Sequence, residues 1–252
     1  MRIIVNHLTR MQPGFICVAG LDPRTLQHIR PVTRGRLNRS QLRAEGGAFD
    51  IGAIVEIGEA PDVGTAPEVE DRAFNPWLAR GVGDYEPPAF WTLLRAAARP
   101  RLAEIFGPEL RQVGATCAFD AGTGQASLGC LIPTGRPLLH LGDFHSVRMR
   151  LSDGALEVSV PVTDLRLYEP DHQTPRSAAV ADLNARLSRG VPVILSVGVS
   201  REWQKPGESA PRHWLQVNNI HLGDRPLWTD QQIAQAAGRA VTAHHGLDDL
   251  PF

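Results

Sequence analysis

The chain is 252 residues long, enough for one large domain or two small ones, either of which buries a sizeable core. Its 42% apolar and 21% charged content is ordinary for a globular protein, and a formal net charge of −1 argues against a uniformly basic nucleic-acid coat. No apolar stretch approaches the roughly 20 residues that span a bilayer, and the run after Met1 is too short for a signal peptide, so no membrane partner is expected.

Short apolar runs at Arg2 to Asn6 and Phe15 to Leu21 predict two strands, with Met11, Gln12, Pro13 and Gly14 as the turn between them. A third strand is expected over His28 to Val32, where Pro31 marks an edge or a strand end. Ser40 to Ala44 suits one helical turn, and Phe49 to Gly58 holds a fourth strand. From Glu59 to Pro88 the chain is rich in proline, glycine and acid without a clear period, which predicts a long surface insertion.

Beyond it, Phe90, Trp91, Leu93, Leu94, Ala97 and Ala98 recur at helical spacing after a proline fit for the first turn, and Leu102 to Phe106 suits a short second helix. Ala115 to Phe119 and Ala126 to Ile132 read as a β-hairpin across a glycine-rich turn, since Gly122, Gly124 and Gly129 fail the spacing of a phosphate loop. Alternation of Val147, Met149 and Leu151, then Leu156, Val158, Val160 and Val162, about Asp153-Gly154 predicts a second hairpin with a two-residue turn. Leu165 to Tyr168 is expected to continue that sheet. A helix capped by Thr174 and stopped at Gly190, strands at Val191 to Val199 and Trp214 to Leu222, and a helix from Thr229 to His245 complete the chain. Cys17, Cys117 and Cys130 are odd in number and set in apolar runs, so buried free thiols in a reducing compartment are expected, and with them a cytoplasmic protein. The predicted class is β-dominated α+β in two modules, 1–137 with the insertion 59–88, and 138–252 with two helices.

Charge is segregated within the first module. Residues 1–44 carry eight arginines against one acid, and residues 45–87 carry ten acids against two arginines. Forked guanidinium donors crowded on a strand end and its loop suit phosphate or carboxylate recognition, whereas two facing blocks of opposite sign would neutralise each other. Candidate phosphate contacts are Arg30, Arg34, Arg36, Arg39 and Arg43; Phe15 and Trp203 are candidate stacking platforms, with Arg201 beside the latter.

The segments Ile16 to Asp22, His28 to Val32, Leu195 to Glu202 and His213 to Ile220 resemble those of a bacterial family described as containing a dual OB-fold domain. That resemblance implies two small OB-like β-barrels side by side and a nucleic-acid or nucleotide ligand; small OB barrels take nucleic acid as a single strand, on a strand face and in flanking loops. It carries over no catalytic residue.

An alternative is metal-dependent hydrolysis of a phosphodiester or nucleotide, with His140, Asp143 and His145 as ligands within six residues and Asp164 or Glu169 nearby. The spacing fits no reliable zinc signature, and no cofactor is predicted. There is no Gly-x-Ser-x-Gly elbow, no Walker-type loop and no cysteine with an evident base, so enzymatic activity is not the leading expectation. A third reading is a binding subunit with a protein partner, in which the acidic insertion and the proline-rich loops hold a larger assembly; the opposite-sign blocks would also suit head-to-tail self-association.

Overall fold

The computed structural model describes residues 1–11, 14–142 and 146–229. The first part of the chain supplies β1 (Arg2–Arg10), β2 (Phe15–Leu21), β3 (His28–Val32), β4 (Leu37–Asn38), β5 (Ala53–Glu56), β6 (Asp71–Ala73) and β7 (Arg80–Asp84). They form one sheet in the order β6-β3-β2-β1-β5-β7, with β4 beside β2. Ile3, Val5, Ile16, Val18, Val55 and Phe49 pack its core. Pro31 lies beyond the β2 pairing, which ends at Ile29, so its missing N–H breaks no bond to β2.

The rest supplies α1 (Pro87–Ala97), β8 (Ala98–Arg99), α2 (Leu102–Phe106), β9 (Arg111–Val113), β10 (Thr116–Asp120), β11 (Leu128–Leu131), β12 (Thr134–Leu141), β13 (Val147–Ser152), β14 (Glu157–Pro161), α3 (Ser177–Ser188), β15 (Val193–Val199) and β16 (Arg212–Leu222). A six-stranded sheet runs β8-β11-β15-β16-β10-β9, and β12, β13 and β14 make a third sheet. The fold is thus β-dominated, with two curled half-barrel sheets and few helices. Strand pairing joins Leu128–Leu131 to Leu195–Gly198, across residue 137.

Several local expectations are corrected. The insertion 59–88 is not irregular: β6 lies parallel to β3, and β7 lies antiparallel to β5. Every residue of β7 is exposed, so no buried alternation betrays it. β10 and β11 do not form a hairpin with each other; they sit on opposite sides of the β15–β16 pair. The second hairpin turn does hold two residues, but one position later than expected: the Asp153 N–H donates to the Leu156 carbonyl at 3.2 Å, leaving Gly154 and Ala155 at the tip, and the Asp153 carboxylate accepts from the backbone N–H of Ala155 and Leu156 at 2.9 and 2.8 Å. Leu165–Leu167 is a 3-10 turn, not a strand, capped by Asp164. Thr174 does not cap α3, whose N-cap is Arg176. The expected helix from Thr229 to His245 lies outside the described residues beyond Thr229.

The two halves meet along β1 and the β15–β16 pair. Ile4, Leu21, Phe90, Leu94, Cys130 and Ile194 make a shared apolar cluster. Two β-bulges face this junction. Asn6 is the extra residue of β1 against β2, and Asn218 is the extra residue of β16 against β15. A bulge re-aims a side chain out of the alternation, and here it delivers two asparagines to the seam.

Candidate functional site

The early arginines largely face carboxylates of the same chain. Arg30 is 5% exposed and meets Asp71 at 2.5 Å; Arg39 meets Glu45 at 2.6 Å and donates to the Pro170 carbonyl; Arg43 meets Asp84 at 2.5 Å; Arg2 lies 3.5 Å from Glu56. All four carboxylates belong to the acidic block, so among the described residues mutual neutralisation accounts for at least four of the eight arginines. Arg36 stands over the half-buried Phe15 ring at 5.5 Å, which covers that platform. Arg34 is exposed.

Arg201 joins the same acidic block, at 2.5 Å from Asp71 and 3.4 Å from Glu68. Glu70, 4% exposed, accepts from Ser127 N and Oγ and from Leu128 N at 2.9, 2.7 and 3.0 Å. Residues 68–71 of the insertion therefore clamp the second half. Trp203 is 52% exposed, and its carbonyl accepts from Trp214 Nε1 at 3.0 Å.

Of the metal candidates, His140 lies in β12 opposite Arg148, while Asp143 and His145 lie outside the described residues. Asp164 is fully buried and committed to Arg166 at 2.8 Å and to the Ile220 N–H at 3.1 Å. Glu169 lies 3.6 Å from Arg176. Among the described residues no group of three His, Cys, Asp or Glu side chains is arranged to hold a metal ion.

Sequence reasoning missed two constellations. The first is the polar seam. Asn6 Nδ2 donates to Ser196 Oγ at 3.3 Å and to Cys130 Sγ at 3.4 Å, and lies 3.3 Å from His28 Nε2. Ser196 Oγ donates to the Asn6 carbonyl at 2.9 Å, with His221 Nε2 3.0 Å from the hydroxyl. His7 Nδ1 lies 3.1 Å from Asn218 Nδ2, and the Asn219 amide mimics a strand partner for Leu8, accepting its N–H at 2.7 Å. His28 and Cys130, 102 residues apart in sequence, stand 3.7 Å apart on the wall of a cleft of about 350 Å³. That pair looks like a nucleophile and its base. Burial, however, pushes the Cys130 thiol up to about 12 and the His28 imidazole down to about 4. Both groups stay neutral, so the thiolate on which nucleophilic cysteine chemistry depends is not prepared.

The second is a groove of about 440 Å³ between α1, the start of β12 and the strand entry at Val191 to Ile194. Trp91 and Arg95, one helical turn apart on α1, and Arg136 in β12 line it together with Ile132, Pro133 and Pro192. Among the described residues no carboxylate lines it. Arg136 donates to the Ser188 carbonyl at 2.9 Å, which fixes its direction without neutralising its charge. Arg95 is exposed and Trp91 half-buried. The sequence signal was an aromatic and an arginine spaced i, i+4 on a helix whose other face is buried through Phe90 and Leu94.

No helix among the described residues is long and apolar enough to cross a membrane. The chain matches no protein-family model, and no curated protein matches it.

Proposed function

We propose that the protein binds a nucleotide or a short single-stranded nucleic acid, that its two β-rich halves are OB-like modules, and that the α1–β12 groove is the binding site. The observation that carries this reading is the convergence of one indole and two guanidiniums on a cavity that no carboxylate among the described residues lines. An indole offers a π-face to any base, worth about 1 to 3 kcal/mol per base, and guanidiniums take phosphate oxygens through paired N–H donors. The cavity of about 440 Å³ falls within the usual range for small-ligand sites. The arginine loop supports the reading less than its composition predicts, because Arg30, Arg39 and Arg43 already hold carboxylates.

The test is a fluorescence titration of the full chain with a nucleoside triphosphate and with a labelled short single strand, repeated across salt concentrations. Binding should weaken steeply with salt, and Trp91→Ala should weaken it roughly tenfold, the equivalent of about 1.4 kcal/mol. Arg95→Ala combined with Arg136→Ala should flatten the salt slope by up to about two phosphate contacts. No binding to either probe, or unchanged affinity and slope in both variants, sinks the reading.

A further inference from the structure

β7 ends the seven-stranded sheet, and all five of its residues are exposed. Just before it, the turn Pro76–Leu78 presents Trp77 at 89% exposure, with the Asn75 side chain accepting the Trp77 N–H at 3.2 Å. Leu78 and Val82 are 48% and 46% exposed. Three large apolar side chains within six residues thus flank a strand edge that pairs with no other strand among the described residues, the feature that pairs most readily with another chain.

We propose that this edge pairs with β7 of a second copy, as an antiparallel two-fold ribbon centred on Val82. The choice of occupant comes from charge. The strand reads Arg80-Gly81-Val82-Gly83-Asp84. Antiparallel pairing about Val82 sets Arg80 of each copy opposite Asp84 of the other, twice, and Gly81 opposite Gly83. A slip of one residue moves both charges opposite neutral neighbours, so the register is specified by the ends. Asp84 already meets Arg43 through Oδ1, but a carboxylate has two oxygens and accepts more than one guanidinium.

Backbone shape points the same way. Against β5, Val82 is an extra residue between Gly81 and Gly83. Such a bulge increases local twist and deters flat foreign strands, whereas a two-fold copy carries the same bulge at the symmetry axis. The register ends with the strands, since Trp77 lies in the 3-10 turn Pro76–Leu78 and Pro87 opens α1, and the exposed Trp77 and Leu78 flank the ribbon. A short ribbon and two indoles lie at the small end of specific interfaces, so dissociation at about micromolar concentration is expected.

Sedimentation of the full chain from about 1 to about 200 µM tests this, since a self-associating chain shifts its mass with concentration. The wild type should pass from monomer to dimer. Arg80→Asp alone and Asp84→Arg alone should each weaken the dimer tenfold or more (~1.4 kcal/mol), because each sets like charges opposite each other. Mixing the two variants should restore it, because opposite charges then face each other at both pairs. Val82→Lys, placing like charges at the axis, should also dissociate it; all three sites are exposed, and a far-ultraviolet spectrum verifies folding. A wild type that stays monomeric throughout, a dimer indifferent to these substitutions, or a mixture no more associated than either variant alone overturns the proposal.

Discussion

The polar seam makes acid sensitivity calculable, and His221 is the residue on which to measure it. Its ring is 0% exposed, and burial, aided by the nearby Arg166 charge, pushes it down to about 3. The unfolded chain takes up a proton near 6.5, so between about pH 6.5 and about pH 3 the unfolded state binds a proton that the folded state refuses. Stability is therefore intact above that window and falls as pH drops through it, by about 1.4 kcal/mol per pH unit. At about pH 5 the loss from His221 alone is about 2 kcal/mol, a substantial part of the roughly 5 to 15 kcal/mol that holds a domain. His7, 1% exposed, shifts in the same direction, first by burial and then by the neighbouring His28, His221 and Arg30. His28 is half-buried at the cleft wall, where water weakens its share.

His221→Gln removes the titration while keeping an amide donor for Ser196 Oγ. At neutral pH the variant should be less stable by about 1 kcal/mol, the value of an imperfectly replaced hydrogen bond. On acidification it should lose about 2 kcal/mol less than the wild type, so that the two stability curves cross near about pH 6. Urea unfolding at about pH 7.5, 6 and 5 measures this directly, with midpoints read at constant slope. Parallel loss of stability in the two proteins over this range would show that His221 is not held neutral in the fold, and the reasoning about the seam would fail.

Two further outcomes follow from the same geometry. Glu70→Gln puts an amide donor among the Ser127 and Leu128 N–H groups and should cost about 3 kcal/mol of stability in urea titrations, since a charged acceptor of three bonds is lost; a change below about 0.5 kcal/mol would mean the clamp is ornamental. The thiols should divide in native labelling with a disulfide reagent: Cys17, half-buried, reacts first, while Cys117 and Cys130, pushed by burial to about 11 and about 12, react only on unfolding. Rapid native labelling of Cys130 would show that its thiol is more exposed and more acidic than the seam allows.

Much of the fold was legible because its strands obey local rules. Phe15–Leu21, His28–Val32 and Leu102–Phe106 stand where apolar spacing and punctuation place them. β6 and β7 escaped because a three-residue strand and a wholly exposed edge leave no alternation to read. The β10–β11 hairpin was wrong because adjacency in sequence cannot see that β15 and β16 insert between them. The seam was hidden for a related reason. Asn6 and Asn218 face it only because bulges turn them there, and His28 and Cys130 meet only after the halves dock. The two charge blocks were visible as composition, but composition could not choose between an external anion and an internal one.

That choice has different weight at different arginines. Arg30 and Asp71 are both buried, and withdrawing one partner from such a pair costs about 3 to 5 kcal/mol, which no phosphate at the surface recovers. Arg30 is therefore structural. Arg39 and Arg43 pair with carboxylates that are 43% and 62% exposed, and ion pairs of that kind are worth about 1 kcal/mol or less, so a polyanion exchanges with them cheaply. The salt slope of nucleic-acid binding shows whether a strand makes that exchange or stays in the groove. Arg39→Ala with Arg43→Ala should leave the slope within about half a phosphate contact of wild type, while Arg95→Ala with Arg136→Ala should lower it by up to about two. If the loop pair flattens the slope as far as the groove pair does, the strand runs over both, and the site extends from α1 to the arginine loop.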